Sequence, residues 1–226
     1  MVPMRRPLHC RRKAHELFRA QVPDLDAPGA LLRAAVAISM HELADADPAA
    51  VEARVEEYAA RVRERVKTGE ARAYLAHLHA VLFDEEGFCG EEGSYDDPQN
   101  SYLPAVLERR RGLPIALTLV YKEVGERVGL AIEGVNSPGH FLAAVETDGH
   151  RMLVDPYGAG RVLTRHEAFA RIARVSGRAL PQDDDLLRPA SPRQWLARMI
   201  QNLLHTFSQR DRDRDVAAMI ELRDLL

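Results

Sequence analysis

The stretch that decides the fold runs from Arg109 to Tyr157, RRRGLPIALTLVYKEVGERVGLAIEGVNSPGHFLAAVETDGHRMLVDPY. Pro114 opens the helix IALTLVYKEVGERVG, at the position where a missing N–H costs nothing. Ile115, Leu117, Leu119, Val120, Val124 and Val128 cover much of its circumference, which predicts a mostly buried helix. Gly129 closes it, and LAIEGV reads as a strand. Asp148-Gly149, between HFLAAVET and HRMLVDPY, is the strongest short-range hairpin signal in the chain. A two-residue turn there sets Thr147 opposite His150, Leu142 opposite Asp155 and His140 opposite Tyr157. His140 and Asp155 then lie diagonally on one face, ~7–8 Å apart at the backbone and within side-chain reach.

Upstream, the chain is helical in pattern. Pro28-Gly29 precedes ALLRAAVAISMHELAD, and Asp47-Pro48 caps and opens VEARVEEYAARVRERV, with Val51, Val55, Tyr58, Val62 and Val66 in one stripe. A third helix is expected over 70–83, then an acidic loop, then a short helix SYLPAVLERRR capped by Asn100 or Ser101 and ended by Gly112. Downstream, a helix over 164–175 leads to a final helical pair opened by Ser191-Pro192, with Trp195, Met199, Leu203 and Phe207 on its buried face. The organisation expected is a disordered start over 1–12, a helical region over 13–82, a catalytic-type core over 83–180 and a helical hairpin over 190–226.

Composition excludes several function classes. With 31 Lys+Arg against 34 Asp+Glu, net charge -3, nothing favours nucleic acid or an anionic membrane as partner. No apolar run reaches the ~18 residues of a membrane span. Two cysteines, Cys10 and Cys89, argue against a disulfide framework and suit a reducing, cytoplasmic compartment. His77 and His79 fall on different faces of their helix, and no phosphate-binding, dinucleotide or zinc motif occurs, so no metal or cofactor is expected. The Arg109-Arg110-Arg111 run fits a helix C-terminus paired with the Asp96-Asp97 loop better than an anion site.

His140 and Asp155 suit two roles of a Cys-His-Asp site: a His that accepts and returns a proton, and a carboxylate that fixes its tautomer. The blander alternative is a histidine that merely holds its loop. NSYLPAVLERRRGLPIALTLVYKEVGERVGL, then GVNSPGHFL, then LVDPYGAGRVL, resembles the bacterial SirB-type branch of the transglutaminase-like superfamily. The resemblance is close over 83–163 and looser at the helical ends, the last pair being tetratricopeptide-like in relatives. It implies an α+β, predominantly helical fold: a papain-like core with a small antiparallel sheet that presents His140 and Asp155. It also implies a cleft lined by Pro114, Asn100, Tyr102, Asn136, Gly139 and Tyr157.

The resemblance places the nucleophile of active relatives in the first turn after Gly112, where this chain has Pro114. A pyrrolidine ring has no nucleophile and no N–H, so thiol catalysis from that position is excluded. Cys89 is a poor substitute, because Glu85, Glu86, Glu91 and Glu92 disfavour a thiolate by like-charge repulsion. Ser137 is too near His140 in sequence for triad geometry, and Thr118 is expected to face the core or back-bond to its helix. The favoured expectation is a pseudoenzyme that binds a protein or peptide. The alternatives are a hydrolase or acyl-transfer enzyme using His140–Asp155 with water or Cys89, and a purely structural interaction protein.

Overall fold

A computed structural model describes residues 6–178 and 181–226. Four helices come first: α1 (Arg12–Gln21), α2 (Ala30–Ser39), α3 (Pro48–Arg65) and α4 (Ala71–His79), the last widening into a π turn over Ala80–Glu85. A two-residue strand β1 (Cys89–Gly90), a 3-10 turn (Pro98–Ser101), α5 (Leu103–Arg109) and β2 (Arg111–Gly112) lead to α6 (Pro114–Arg127). Four strands follow, β3 (Ala131–Ser137), β4 (His140–Thr147), β5 (His150–Asp155) and β6 (Arg161–Leu163). Helices α7 (Arg165–Ser176), α8 (Pro192–Ser208) and α9 (Asp213–Arg223) complete the chain. The fold is α+β and predominantly helical.

Helix α3 begins as its sequence dictates: the Asp47 carboxylate accepts the Ala49 N–H at 3.0 Å and Pro48 fills the first turn. Asp47→Ala should therefore lower stability by about 1 kcal/mol, measurable by urea denaturation. The short helix α5 departs from expectation at both ends. Asn100 and Ser101 lie in the preceding 3-10 turn, and Tyr102 stands at the N-cap without a side-chain cap. Arg110, in the left-handed region at φ 56°, ends the helix ahead of Gly112. The chain must stop there because Arg111–Gly112 pairs in parallel with Cys89–Gly90. Gly112 is required for space instead, since a Cβ would come within 2.8 Å of Val106 Cγ2 and 3.1 Å of the Asn100 carbonyl oxygen.

Strands β3 to β6 form one antiparallel sheet in sequence order. The hairpin register is the expected one, Thr147 opposite His150, with Asp148 at φ 51° and Gly149 at φ 74° as a type I′ turn requires. Strand β4 is buried on both faces. Phe141, Ala143 and Val145 join the main core beneath α6 and α8, while Leu142 and Ala144 join a second cluster with Phe169 and Ile172 of α7. That explains the unbroken apolar run FLAAV where a half-exposed strand would alternate.

The main core runs without a break from Phe18 of α1 to Leu222 of α9, so the regions expected as 13–82, 83–180 and 190–226 share it. The last two helices pack on the body of the chain, α8 against α2 and α9 against α1. The disordered start expected over 1–12 gives way over its described part: the backbone N–H groups of Leu8 and Cys10 donate to the Glu221 carboxylate on α9 at 2.7 and 2.8 Å. Residues 1–5 lie outside the described residues. None of the described helices is long and apolar enough to cross a membrane.

Candidate functional site

His140 is the first residue of β4 and Asp155 the last of β5, so the hairpin brings both to one end of the sheet. The turn before His140 needs Gly139, at φ 70°, where a Cβ would press on the Ser176 backbone at the end of α7. His140 Nε2 lies 2.9 Å from Asp155 Oδ1, and each residue is 3% exposed. Facing a carboxylate, that nitrogen is the one placed to donate. Nδ1 makes no hydrogen bond to any described residue.

Arg171 of α7 is a third member that the sequence reading missed. Its Nε stands 3.2 Å from Asp155 Oδ2, an ion-pair distance without hydrogen-bond alignment. Burial alone would raise the Asp155 carboxyl, but the His140 hydrogen bond, the His140 and Arg171 charges and the Gly158 N–H together hold it below its ordinary value. Asp155 is thus an anion held from three sides.

Tyr157 walls the site. Its ring stands edge-on to His140 at 5.9 Å, and its hydroxyl donates to the Glu91 carbonyl at 2.7 Å. Burial, then the neighbouring Tyr95 and Glu92, push its phenol up to about 12. Gly90 makes room for this ring, since a Cβ there would sit 2.3 Å from it. Cys89 is the adjacent residue of β1, so strand alternation turns its side chain away from Tyr157. No hydrogen bond joins Cys89 to His140 among the described residues, and Cys89 as the reacting thiol gains no support.

Pro114 is buried at the first position of α6, and Leu113 before it donates its N–H to the Asn100 carbonyl at 2.9 Å. Thr118, one turn on, donates from Oγ1 to the Phe141 carbonyl at 3.4 Å, stitching the helix start to β4 beside His140. The first turns of α6 are therefore tied to the strand that begins at His140. Ser137 is spent elsewhere, donating to the Leu186 carbonyl at 2.8 Å.

The remaining expected cleft residues divide. Asn136 is exposed on β3, and its Oδ1 accepts from Arg198 of α8 at 3.3 Å, so the C-terminal helix reaches the rim. Asn100 is fully buried and braces the acidic loop by donating Nδ2 to the Ser94 carbonyl at 2.7 Å. Tyr102 does not line a cleft. It is fully buried, and its hydroxyl donates to Glu42 Oε2 at 2.6 Å, inside a network in which Arg212 bridges Glu42 and Asp215 and His41 meets Asp215. Sequence spacing cannot separate an inward tyrosine from a cleft tyrosine on a turn this short.

A family profile described as the transglutaminase-like superfamily matches residues 49–201, more than half of the chain. The chain belongs to the transglutaminase-like superfamily. The profile begins in α3 and ends in α8, so this transglutaminase-like match is wider than residues 83–180. A UPF0162 protein of Xylella fastidiosa (strain 9a5c) is 34% identical over 197 residues, covering 85% of this chain and 69% of that protein. UPF0162 protein PA3419 of Pseudomonas aeruginosa is 31% identical over 176 residues, 78% of this chain and 64% of that protein. F-box only protein 21 of Mus musculus is 29% identical over 160 residues, 67% of this chain but 24% of its own length. No solved structure matches the chain.

Proposed function

We propose that this transglutaminase-like domain, of the SirB-type branch, is a non-catalytic module that binds a protein or peptide in a reducing, cytoplasmic compartment. Pro114 carries the reading. It occupies the first position of α6, the helix that Thr118 ties to β4 next to His140, and supplies neither a nucleophile nor a backbone N–H. The partner surface is the rim around the old site, where Tyr95 and Asn136 are exposed and Arg198 approaches from α8. His140 and Asp155 then serve as architecture that positions the loop before β4.

Two measurements test this. Amide and ester hydrolysis or acyl transfer should be equal in wild type and His140→Ala; turnover lost with His140 would overturn the proposal. Pro114→Cys should gain a thiol that alkylates several-fold faster than Cys89 at neutral pH, through the helix N-terminus and the His140 base. That gain should vanish in the Pro114→Cys, His140→Ala double variant. Equal reactivity of Pro114→Cys with and without His140→Ala would mean that the helix start and His140 do not form one site.

The second reading, a hydrolase in which His140 activates water, is favoured by one observation: Nδ1 has no hydrogen-bond partner among the described residues while Nε2 is held by Asp155. The same turnover comparison decides between the two.

A further inference from the structure

A cavity of about 490 Å³ lies on the Arg171 side of Asp155, walled by Tyr157, Gly158, Leu163, Arg161, Arg171 and Arg174. Its volume falls within the roughly 300–1,000 Å³ of small-ligand sites. We propose that it binds a carboxylate or phosphate group carried on a small molecule.

The charges on its wall balance formally, but they are not equally available. Asp155 is committed to His140, Arg171 and the Gly158 N–H. Glu167 is committed to the Thr164 N–H and hydroxyl in a capping box, and to Arg161. Glu92, the remaining wall carboxylate, is exposed to solvent. On the cationic side, Arg171 meets Asp155 through Nε, and its two terminal nitrogens make no hydrogen bond among the described residues. Arg174, one turn further along α7, has no ion-pair or hydrogen-bond partner among them. The cavity therefore presents free guanidinium donors on Arg171, on the exposed Arg174 and on the remaining nitrogens of the exposed Arg161, against one uncommitted carboxylate, the exposed Glu92.

Guanidinium donors in a fixed fork match the two oxygens of a carboxylate or phosphate. Arg171 is flanked by Asp155 on one side and, on the other, by the Tyr157 ring, 5.9 Å from the guanidinium carbon. That preorganisation separates this cavity from an ordinary basic surface patch. The site does not depend on what the rim beyond His140 binds. It does touch the same pair, since an anion on Arg171 competes with Asp155 for its charge.

The test is a titration of the 15N-labelled full chain with inorganic phosphate and, separately, with succinate, at constant ionic strength. Saturable shifts are expected at the Arg171 side chain and the Gly158 and Leu163 amides, with a smaller change at the His140 ring. Saturation by phosphate alone assigns a phosphate ligand, by succinate alone a carboxylate, and either supports the proposal. Arg174→Gln, which breaks no contact in the folded chain, should weaken binding by about tenfold, the loss of one charge-assisted hydrogen bond. Shifts that stay linear with concentration, or affinity unchanged in Arg174→Gln, would overturn it.

Discussion

Asp155→Ala is expected to lower folding stability by about 3 kcal/mol, the low end for removing one partner of a buried ion pair. The variant leaves His140 buried without its acceptor and Arg171 without its anion, and Arg171 retains enough exposure to recover some hydration. At roughly 2–4 °C per kcal/mol for a chain of this size, Tm should fall by at least about 6 °C. Asp155→Asn should cost less, because its amide oxygen still accepts from His140. The effect depends on pH with a definite sign. The folded-state carboxyl is depressed below its ordinary 3.8, so its stabilisation is complete above that value and is lost as pH falls through the folded value. The stability gap between wild type and Asp155→Asn should therefore be full at about pH 6 and shrink as the pH is taken below the ordinary carboxyl value. A gap that stayed constant would show that the carboxylate is not held as described.

Trp195→Ala should be comparably severe, about 3–5 kcal/mol. The indole is 1% exposed and fits against Gly134 of β3, where a Cβ would come within 2.1 Å of Cζ3. It packs on Phe141 of β4 at a ring separation of 4.6 Å. Deleting it opens a cavity against Gly134, which has no side chain to refill it. Trp195→Phe should lose much less, in part because the indole N–H is buried without a partner and its removal is no loss. Urea denaturation compares the three proteins. A loss below about 1 kcal/mol for Trp195→Ala would mean that α8 is an appendage and not part of the core.

Local chemistry made much of this fold legible in the sequence. Asp148-Gly149 set the hairpin register because its two positive φ values leave few residue choices, and that register placed His140 beside Asp155. Asp47-Pro48 and Ser191-Pro192 marked helix starts by the same kind of local signal. What stayed hidden depended on long-range packing. Arg110 ends α5 only because residues 111–112 pair with 89–90, a contact no helix-stop rule contains. The π turn after α4 has the composition of ordinary helix, and it accompanies Phe83 stacking on Tyr121 at 5.8 Å and filling the space beside Gly160. Arg171 joins Asp155 from a helix whose placement the second apolar cluster decides, so nothing in its own neighbourhood announces it. Tyr102 was misplaced for the related reason that burial direction on a short turn is set by what packs above it.

Glu221 has a consequence for how the chain opens. Both carboxylate oxygens accept backbone N–H groups from residues 8–10, so the segment before α1 and the helix α9 hold one another. Beneath them, His41 and Glu42 at the end of α2 join Asp215 and Arg212 around the start of α9. Fraying at the two ends of the described chain is then a single cooperative event, not two independent ones. Because Tyr102 ties that network to the turn before α5, whose Asn100 carbonyl accepts the Leu113 N–H, the same opening loosens the support of the helix start at Pro114. The terminal clasp and the distant site belong to one unit of local unfolding.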